Sequence, residues 1–226
     1  MTPEELVKIG ASEALKPYNE LMQKLLGRPA AELGGIWGDS LAVYRFKRRL
    51  RHLKRVQEMI SDAGFEPQAV PLKLLVPILQ NGSLEEDDTL QDKWAALLVN
   101  AAHDEGETLA IFVNILSQLS GRDARVLEII AKLARSFSPM SLVSLGKIIE
   151  EIGAEFPITQ DRLSEHVDNL SALGLIELVE ADGGYRKREE LEMEKIKYGL
   201  LPILGVRVQM LGYRFLAACQ PPKKTT

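Results

Sequence analysis

The sequence predicts a mostly α-helical protein, in which a helical N-terminal half is followed by a C-terminal half that adds a small β-hairpin to its helices. Apolar residues recur at intervals of three and four along most of the chain, which is the spacing of amphipathic helices. Two short segments, LIELVE and GVRVQ, have the length and pattern of strands. We predict a helical domain over residues 1–120, a second domain over 121–220 and a disordered tail over 221–226.

The composition is that of an ordinary globular protein, with 46% apolar and 27% charged residues. The single cysteine, Cys219, excludes an internal disulfide and a multi-cysteine metal site, and it favours a reducing compartment. The opening MTPEELVKIG has acidic residues where a signal peptide needs basic ones, so we expect a cytoplasmic protein. Residues 198–219 are long enough to cross a bilayer, but Arg207 and Arg214 would be costly there, so no transmembrane span is predicted.

The chain begins with an amphipathic helix predicted over Pro3 to Leu26, which Pro17 interrupts. The glycine-rich AAELGGIWGDS follows, and it matches neither the P-loop nor the dinucleotide-binding pattern. We therefore interpret it as a site of close helix packing.

The next helix, predicted over Asp39 to Ala63, carries a dense group of positive charges. Its segment RFKRRLRHLKR contains seven basic residues and no acid, although the whole chain has a formal charge of −4. An apolar seam that includes Phe46 and Leu53 would pack this helix on the core. We call the seven residues the basic cluster and predict that they contact a partner: Arg45, Lys47, Arg48, Arg49, Arg51, Lys54 and Arg55.

Three interpretations of the basic cluster remain open. It could follow a nucleic-acid backbone, where binding weakens steeply with salt. It could lie on an anionic membrane surface, although its apolar seam is thin for a membrane helix. It could also pair with acidic surface of the same chain or of a second subunit, for which residues 85–88 and 189–194 are rich in acids.

Residues 65–82 contain three prolines, which predict an extended link and then a short apolar helix ending at Asn81-Gly82. The helix that organises the N-terminal half is predicted over Ser83 to Ala102. Ser83 and Glu86 match the S-x-x-E capping box. The buried stripe is expected to comprise Leu90, Trp94, Leu97, Leu98 and Ala101. The positions expected to face water are Gln91, Asp92 and Lys93.

This region resembles the Abi-alpha (abortive infection alpha) family, a bacterial domain tied to phage resistance. The resemblance lies in the W-A-x-L-L-x-N-A-A core of the organising helix, and in the next helix, which ends in I-L-x-Q-L-S ahead of D-A-R-V-L-E. It extends roughly from Pro17 to Cys219 and is closest between Val70 and Ile130. The resemblance implies a role in phage defence, but it supplies no catalytic residues.

The C-terminal half resembles a winged helix-turn-helix. Helices are predicted over Arg122 to Arg135, over Ser141 to Ile152 and after a cap at Thr159, and Gly174 ends the third. The resemblance lies in LSALGLIELVE and in the closing MLGYRFLAAC.

The third of these helices is poorly suited to DNA, because its expected outward positions hold three acids and one base. These positions are Gln160, Asp161, Arg162, Glu165, His166, Asp168 and Asn169. We therefore favour protein contact or dimerisation over DNA binding for this domain. The wing would supply a secondary contact through Arg186, Lys187 and Arg188.

The sequence offers few candidates for catalysis or metal binding. The acids of residues 85–88 with His103 fit neither a zinc site nor a calcium loop. His52 is expected to extend the basic face and His166 to be exposed, and no serine lies in a G-x-S-x-G motif. We predict no catalytic residue, no metal and no cofactor.

The resulting hypothesis is a non-enzymatic antiphage protein of the abortive-infection type, which acts by contact with a protein or a nucleic acid. A protein partner or a second copy would bind through the winged helix. Two alternatives stay open. A cryptic metal-dependent nuclease or other toxic enzyme predicts a coordinated ion, and a membrane-surface effector predicts binding to anionic liposomes.

Overall fold

The computed structural model describes residues 16–26, 42–103, 109–137, 141–180 and 203–222. Over these ranges the chain is mostly helical with a small antiparallel hairpin, as predicted. It forms two compact units: unit 1 comprises residues 1–118 and 218–226, and unit 2 comprises residues 119–217. The chain therefore leaves unit 1 once and returns to it once.

Unit 1 is built around one central helix. Its described helices are α1 (Lys16–Leu26), α2 (Ala42–Ala63), α3 (Leu72–Leu84), α4 (Asp88–His103) and α5 (Leu109–Leu116). Helix α4 packs against α2, α3 and α5, and Trp94 lies fully buried on it, as the apolar spacing predicts. The organising role of the Trp94 helix follows from this central position.

Because α4 is covered on several sides, two of the exposures predicted for it are wrong. Gln91 and Lys93 are each only 6% exposed, whereas Asp92 faces solvent. Gln91 Nε2 donates a hydrogen bond to Glu85 O (2.7 Å). A helix in the centre of a bundle buries more than one stripe, and its flanking polar residues then need partners.

The capping box predicted at Ser83 is also wrong. Helix α3 includes Pro77, Gly82 and Ser83 and ends at Leu84, so Ser83 is an internal residue. Its Oγ donates a hydrogen bond to Gln80 O (2.9 Å), one turn earlier in the same helix. Such a bond to a preceding carbonyl is the common alternative to capping for a serine inside a helix.

Helix α4 is instead capped by carboxylates. Asp87 Oδ1 accepts a hydrogen bond from Leu90 N (3.0 Å), the arrangement of an aspartate N-cap. Glu85 Oε1 accepts from Glu86 N (2.9 Å) and from Asp87 N (3.0 Å). The N-cap of the helix is therefore Asp87, four residues later than the serine pattern predicts.

The described part of unit 2 has three helices, then a hairpin and then a further helix. The helices are α6 (Gly121–Phe137), α7 (Leu145–Glu155) and α8 (Gln160–Ala172), and the strands are β1 (Ile176–Glu180) and β2 (Ile203–Val208). Helix α9 (Met210–Ala218) follows β2 and ends where the chain returns to unit 1. The strands are antiparallel, with Ile176 opposite Val208.

A residue between α6 and α7 joins this hairpin. Val143 exchanges both backbone hydrogen bonds with Val206 of β2, at 2.9 and 2.8 Å. The predicted helix over Ser141 to Ile152 therefore begins later, at Leu145, because Val143 is used as a strand residue. Gly205 permits this pairing, since a Cβ there would lie 2.5 Å from Val143 O.

The ends of α8 are those predicted from the sequence. Thr159 is the N-cap and accepts a hydrogen bond from Arg162 N (3.4 Å). Gly174 follows the helix with a φ of +70°, a conformation that favours glycine.

None of the described helices has the length and apolar character needed to cross a membrane. Within residues 198–219, the described part contains strand β2, where GVRVQ predicts a strand, and helix α9.

Candidate functional site

The basic cluster lies on α2, whose backbone includes all seven of its residues. The side chains of Arg51, Lys54 and Arg55 are described, and they differ in environment. Four side chains lie outside the described part of the structure: Arg45, Lys47, Arg48 and Arg49. The wing residues also lie outside the described residues: Arg186, Lys187 and Arg188.

Helix α2 packs on unit 1 through one stripe and leaves the opposite side exposed. Leu53, Val56 and Ile60 are buried, at the spacing of one helical face. Arg51 and Lys54 are exposed. Lys54 Nζ lies 3.8 Å from Glu58 Oε1, but both side chains are more than 60% exposed, and such a pair contributes little. The positive charge of this exposed side is therefore accessible to a partner.

Arg55 is bound within unit 1 instead. Its Nη2 lies 2.7 Å from Asp88 Oδ1 and its Nη1 lies 3.0 Å from Asp92 Oδ1, both in the first turns of α4. Nη1 also donates to Asp88 O (3.2 Å), and the side chain is only 21% exposed. Arg55 therefore fastens α2 to the start of α4. Among the described side chains of the basic cluster, Arg55 makes the internal pairing with acidic residues 85–88 that the sequence left open.

His52 does not extend the basic face, contrary to the sequence-based expectation. It is 1% exposed, and a Cβ placed on Gly82 of α3 would lie 2.7 Å from its Cε1 atom. Neither ring nitrogen forms a hydrogen bond within the described structure. Burial, reinforced by the positive charge of Arg55, lowers the pKa of His52 to about 4. The ring is therefore neutral at pH 7 and packs as part of the core.

His166 also differs from its predicted exposed position. Its Nδ1 lies 2.8 Å from Asp123 Oδ1, and Asn169 Nδ2 donates to Asp123 Oδ2 (3.2 Å). Because a carboxylate only accepts hydrogen bonds, His166 Nδ1 carries the hydrogen. His166 and Asn169 of α8 thus point inward toward α6, so the outward orientation predicted for these two residues is wrong.

The carboxylate of Asp123 is a structural centre of unit 2. It also accepts hydrogen bonds from Ser120 N (2.8 Å) and Ser120 Oγ (2.7 Å), and Ser120 Oγ in turn accepts from Asp123 N (3.1 Å). The S-x-x-D pattern at residues 120–123 is the signal that could have predicted this cap. Ser120 donates to the aspartate and not to the histidine, so the order of contacts differs from that of a catalytic triad. The cluster joins the start of α6 to α8.

The exposed side of α8 keeps the acidic character predicted for it. Asp161, Glu165 and Asp168 are exposed and recur at intervals of four and three residues, which places them on one side of the helix. Arg162 is the accompanying base, and its Nη1 lies 3.0 Å from Glu165 Oε2. The side chain of Gln160 lies outside the described part.

The histidine and acids weighed as a metal site are not brought together. His103 is exposed at the end of α4, and its ring meets that of Phe65 edge-on at 4.6 Å between centroids. Across the described ranges, no group of three or more His, Cys, Asp or Glu residues has the geometry to hold a metal ion.

Comparison with known proteins identifies one related family. A family model described as "Abortive infection alpha" matches residues 44–219. The match confirms the resemblance seen in the sequence, and it includes all of the basic cluster and unit 2. No curated protein and no solved structure matches the chain.

Proposed function

Because this chain belongs to the abortive infection alpha family, we propose that it is a non-enzymatic antiphage protein that acts through contact with a protein or a nucleic acid. Family membership supports the role in phage defence. The exposed bases of α2 support the role of contact, because a concentrated positive surface attracts phosphate backbones and acidic protein surfaces. The cytoplasm is the proposed place of action, which the single cysteine favours.

The proposed contact surface is the exposed side of α2, and it does not require every residue of the basic cluster. Arg51 and Lys54 are its described members, and Lys47 precedes Arg51 by four residues, so the two positions share a side of the helix. Arg55 is excluded, because its guanidinium is already bonded to Asp88 and Asp92.

Unit 2 is proposed to be a winged helix that contacts protein. The order of three helices and an antiparallel hairpin supports this proposal, and so does the pairing of Val143, between α6 and α7, with β2. The exposed acids of α8, Asp161, Glu165 and Asp168, would lie among phosphates if α8 entered the major groove, where their charge is repulsive. A basic protein surface, on a partner or on a second copy, is the chemistry that these acids favour.

The class of partner for α2 is tested by binding to labelled duplex and single-stranded nucleic acid, measured by fluorescence anisotropy at increasing salt. The test variant is Arg51→Glu with Lys54→Glu. The matched control is Lys73→Glu with Arg122→Glu, which makes the same change in net charge at exposed bases near the starts of α3 and α6.

A nucleic-acid partner predicts binding whose logarithm falls linearly with the logarithm of the salt concentration. The α2 variant should lose this binding and the control should keep it. Absence of wild-type binding at low salt would exclude nucleic acid and assign the contact to an acidic protein surface. Equal binding by wild type and the α2 variant would contradict the proposed surface.

A further inference from the structure

The Asn100 side chain of α4 binds the C-terminal segment of unit 1, which comprises residues 218–220. Asn100 Nδ2 lies 2.9 Å from Ala218 O and 2.7 Å from Gln220 O, and it lies 3.0 Å from Ala96 O in its own helix. Ala218 is the last residue of α9, so its carbonyl has no partner within that helix. Asn100 therefore supplies the hydrogen bond that the helix end requires.

The three carbonyls determine which way the amide points. An amide nitrogen carries two hydrogens, so three acceptors share them. The reversed amide would place Asn100 Oδ1 against three carbonyl oxygens, with no hydrogen between them. Asn100 thus acts on the C-terminal segment only as a donor, and a side chain of the same shape without N–H groups cannot replace it.

The segment contains the only cysteine of the chain. Cys219 lies between the two carbonyls that Asn100 binds and is 5% exposed, whereas Gln220 and Pro221 on its C-terminal side are exposed. The thiol is therefore covered as long as residues 218–220, which adjoin these exposed residues, stay in place. A short edge segment of this kind can open locally at a lower free energy than the unfolding of the whole unit.

The segment lies at the point where the chain returns from unit 2 to unit 1. The chain enters unit 2 between residues 118 and 119 and returns to unit 1 between residues 217 and 218. While the segment is bound, both ends of unit 2 are tied to unit 1. When it is released, the chain that continues from residue 217 is no longer held by Asn100.

We propose that Asn100 and residues 218–220 form a releasable latch, whose opening frees the second connection of unit 2 without unfolding unit 1. This conformational device goes beyond the proposed antiphage function. It can be measured on the purified full-length protein and is independent of the contact made by α2, so either proposal can fail without the other.

The test uses Cys219 as its own reporter, through the rate at which a soluble aromatic disulfide labels the thiol under native conditions. Asn100→Asp keeps the size of the side chain but replaces the N–H donors by an oxygen that repels the carbonyls. Loss of two hydrogen bonds to the segment should raise the labelling rate by about tenfold or more. Asn100→Leu removes the donors without adding charge and should act in the same direction. Asn114→Asp, at an exposed asparagine of α5, is the matched control and should label at the wild-type rate.

Circular dichroism and thermal melting establish that each variant is folded. The labelling rate of Cys219 measured at low concentrations of urea distinguishes local opening from global unfolding. Release of three residues exposes little surface, so the wild-type labelling rate should be nearly independent of urea in that range. Wild-type labelling rates in both folded Asn100 variants would overturn the latch. A steep urea dependence that matches global unfolding would also overturn it, because the thiol would then react only from the unfolded protein.

Discussion

The buried His52 should make unit 1 lose stability as the pH falls from 7 to 4. Its pKa is about 4 in the folded protein, against 6.5 for an ordinary histidine. Between these values the unfolded chain binds a proton that the folded protein does not, so stability falls as the pH falls. Above pH 6.5 both states are neutral and the ring causes no loss. Below pH 4 both are protonated and the loss is constant.

The size of this effect follows from the difference between the two pKa values. At about 1.4 kcal/mol per pKa unit, the full loss is about 3 kcal/mol, and about 2 kcal/mol of it is present at pH 5. No discount for solvent screening applies, because the ring is 1% exposed. A loss of this size is a large fraction of the stability of a typical domain.

The assay is urea unfolding followed by tryptophan fluorescence at pH 7, 6, 5 and 4, where the buried Trp94 reports on unit 1. His52→Leu removes the titrating group, so its stability should fall less than that of wild type over this range, by the amounts given above. His103→Gln, at an exposed histidine, is the control and should follow wild type. The same pH dependence in wild type and His52→Leu would refute the reasoning.

Two further substitutions test the packing of unit 2. Gly212→Ala should lower the free energy of unfolding by about 1–3 kcal/mol, because the new Cβ would lie 2.3 Å from the backbone oxygen of Leu175. Thermal melting of the variant measures this loss, and an unchanged melting temperature would contradict the close approach. Asp123→Ala should lower the free energy of unfolding by about 2–4 kcal/mol, because it leaves the donors of Ser120 and His166 without their acceptor. Urea unfolding measures this loss, and a loss below about 0.5 kcal/mol would show that the carboxylate does not join α6 to α8.

The sequence predicts those parts of the fold that depend on nearby residues. Thr159 and Gly174 mark the ends of α8 through their own chemistry, and apolar spacing is enough to place Trp94 in the core. The start of α4 is harder to predict from the sequence, because several nearby side chains can accept hydrogen bonds from the same backbone amides. Ser83 and Asp87 both suit a cap, and only the continuation of α3 through Ser83 decides between them.

Contacts between distant residues explain the remaining errors. His166 and Asn169 lie beside the buried stripe of α8, and their inward orientation depends on Asp123, more than forty residues earlier in the chain. His52 is likewise buried because α3 brings Gly82 against its ring. Helical periodicity alone cannot predict these orientations, because the partner lies on another element.

In the candidate site, too, the sequence predicts which charged residues are present but not which of them contact each other. A run of seven bases is evident in the sequence, and so is the acidic segment that precedes α4. Which base the fold uses internally is not evident, because the pairing of Arg55 with Asp88 and Asp92 depends on how α2 packs on α4. The structure thus separates a base that stabilises unit 1 from exposed bases such as Arg51 and Lys54.

The most direct test of the contact surface on α2 is the efficiency of phage plating on bacteria that express the wild-type protein, the Arg51→Glu, Lys54→Glu variant or the Lys73→Glu, Arg122→Glu control. Expression and melting temperature are first matched, so that only surface charge differs. We predict that the wild type and the control protect the bacteria and that the α2 variant does not. Full protection by the folded α2 variant would contradict the account.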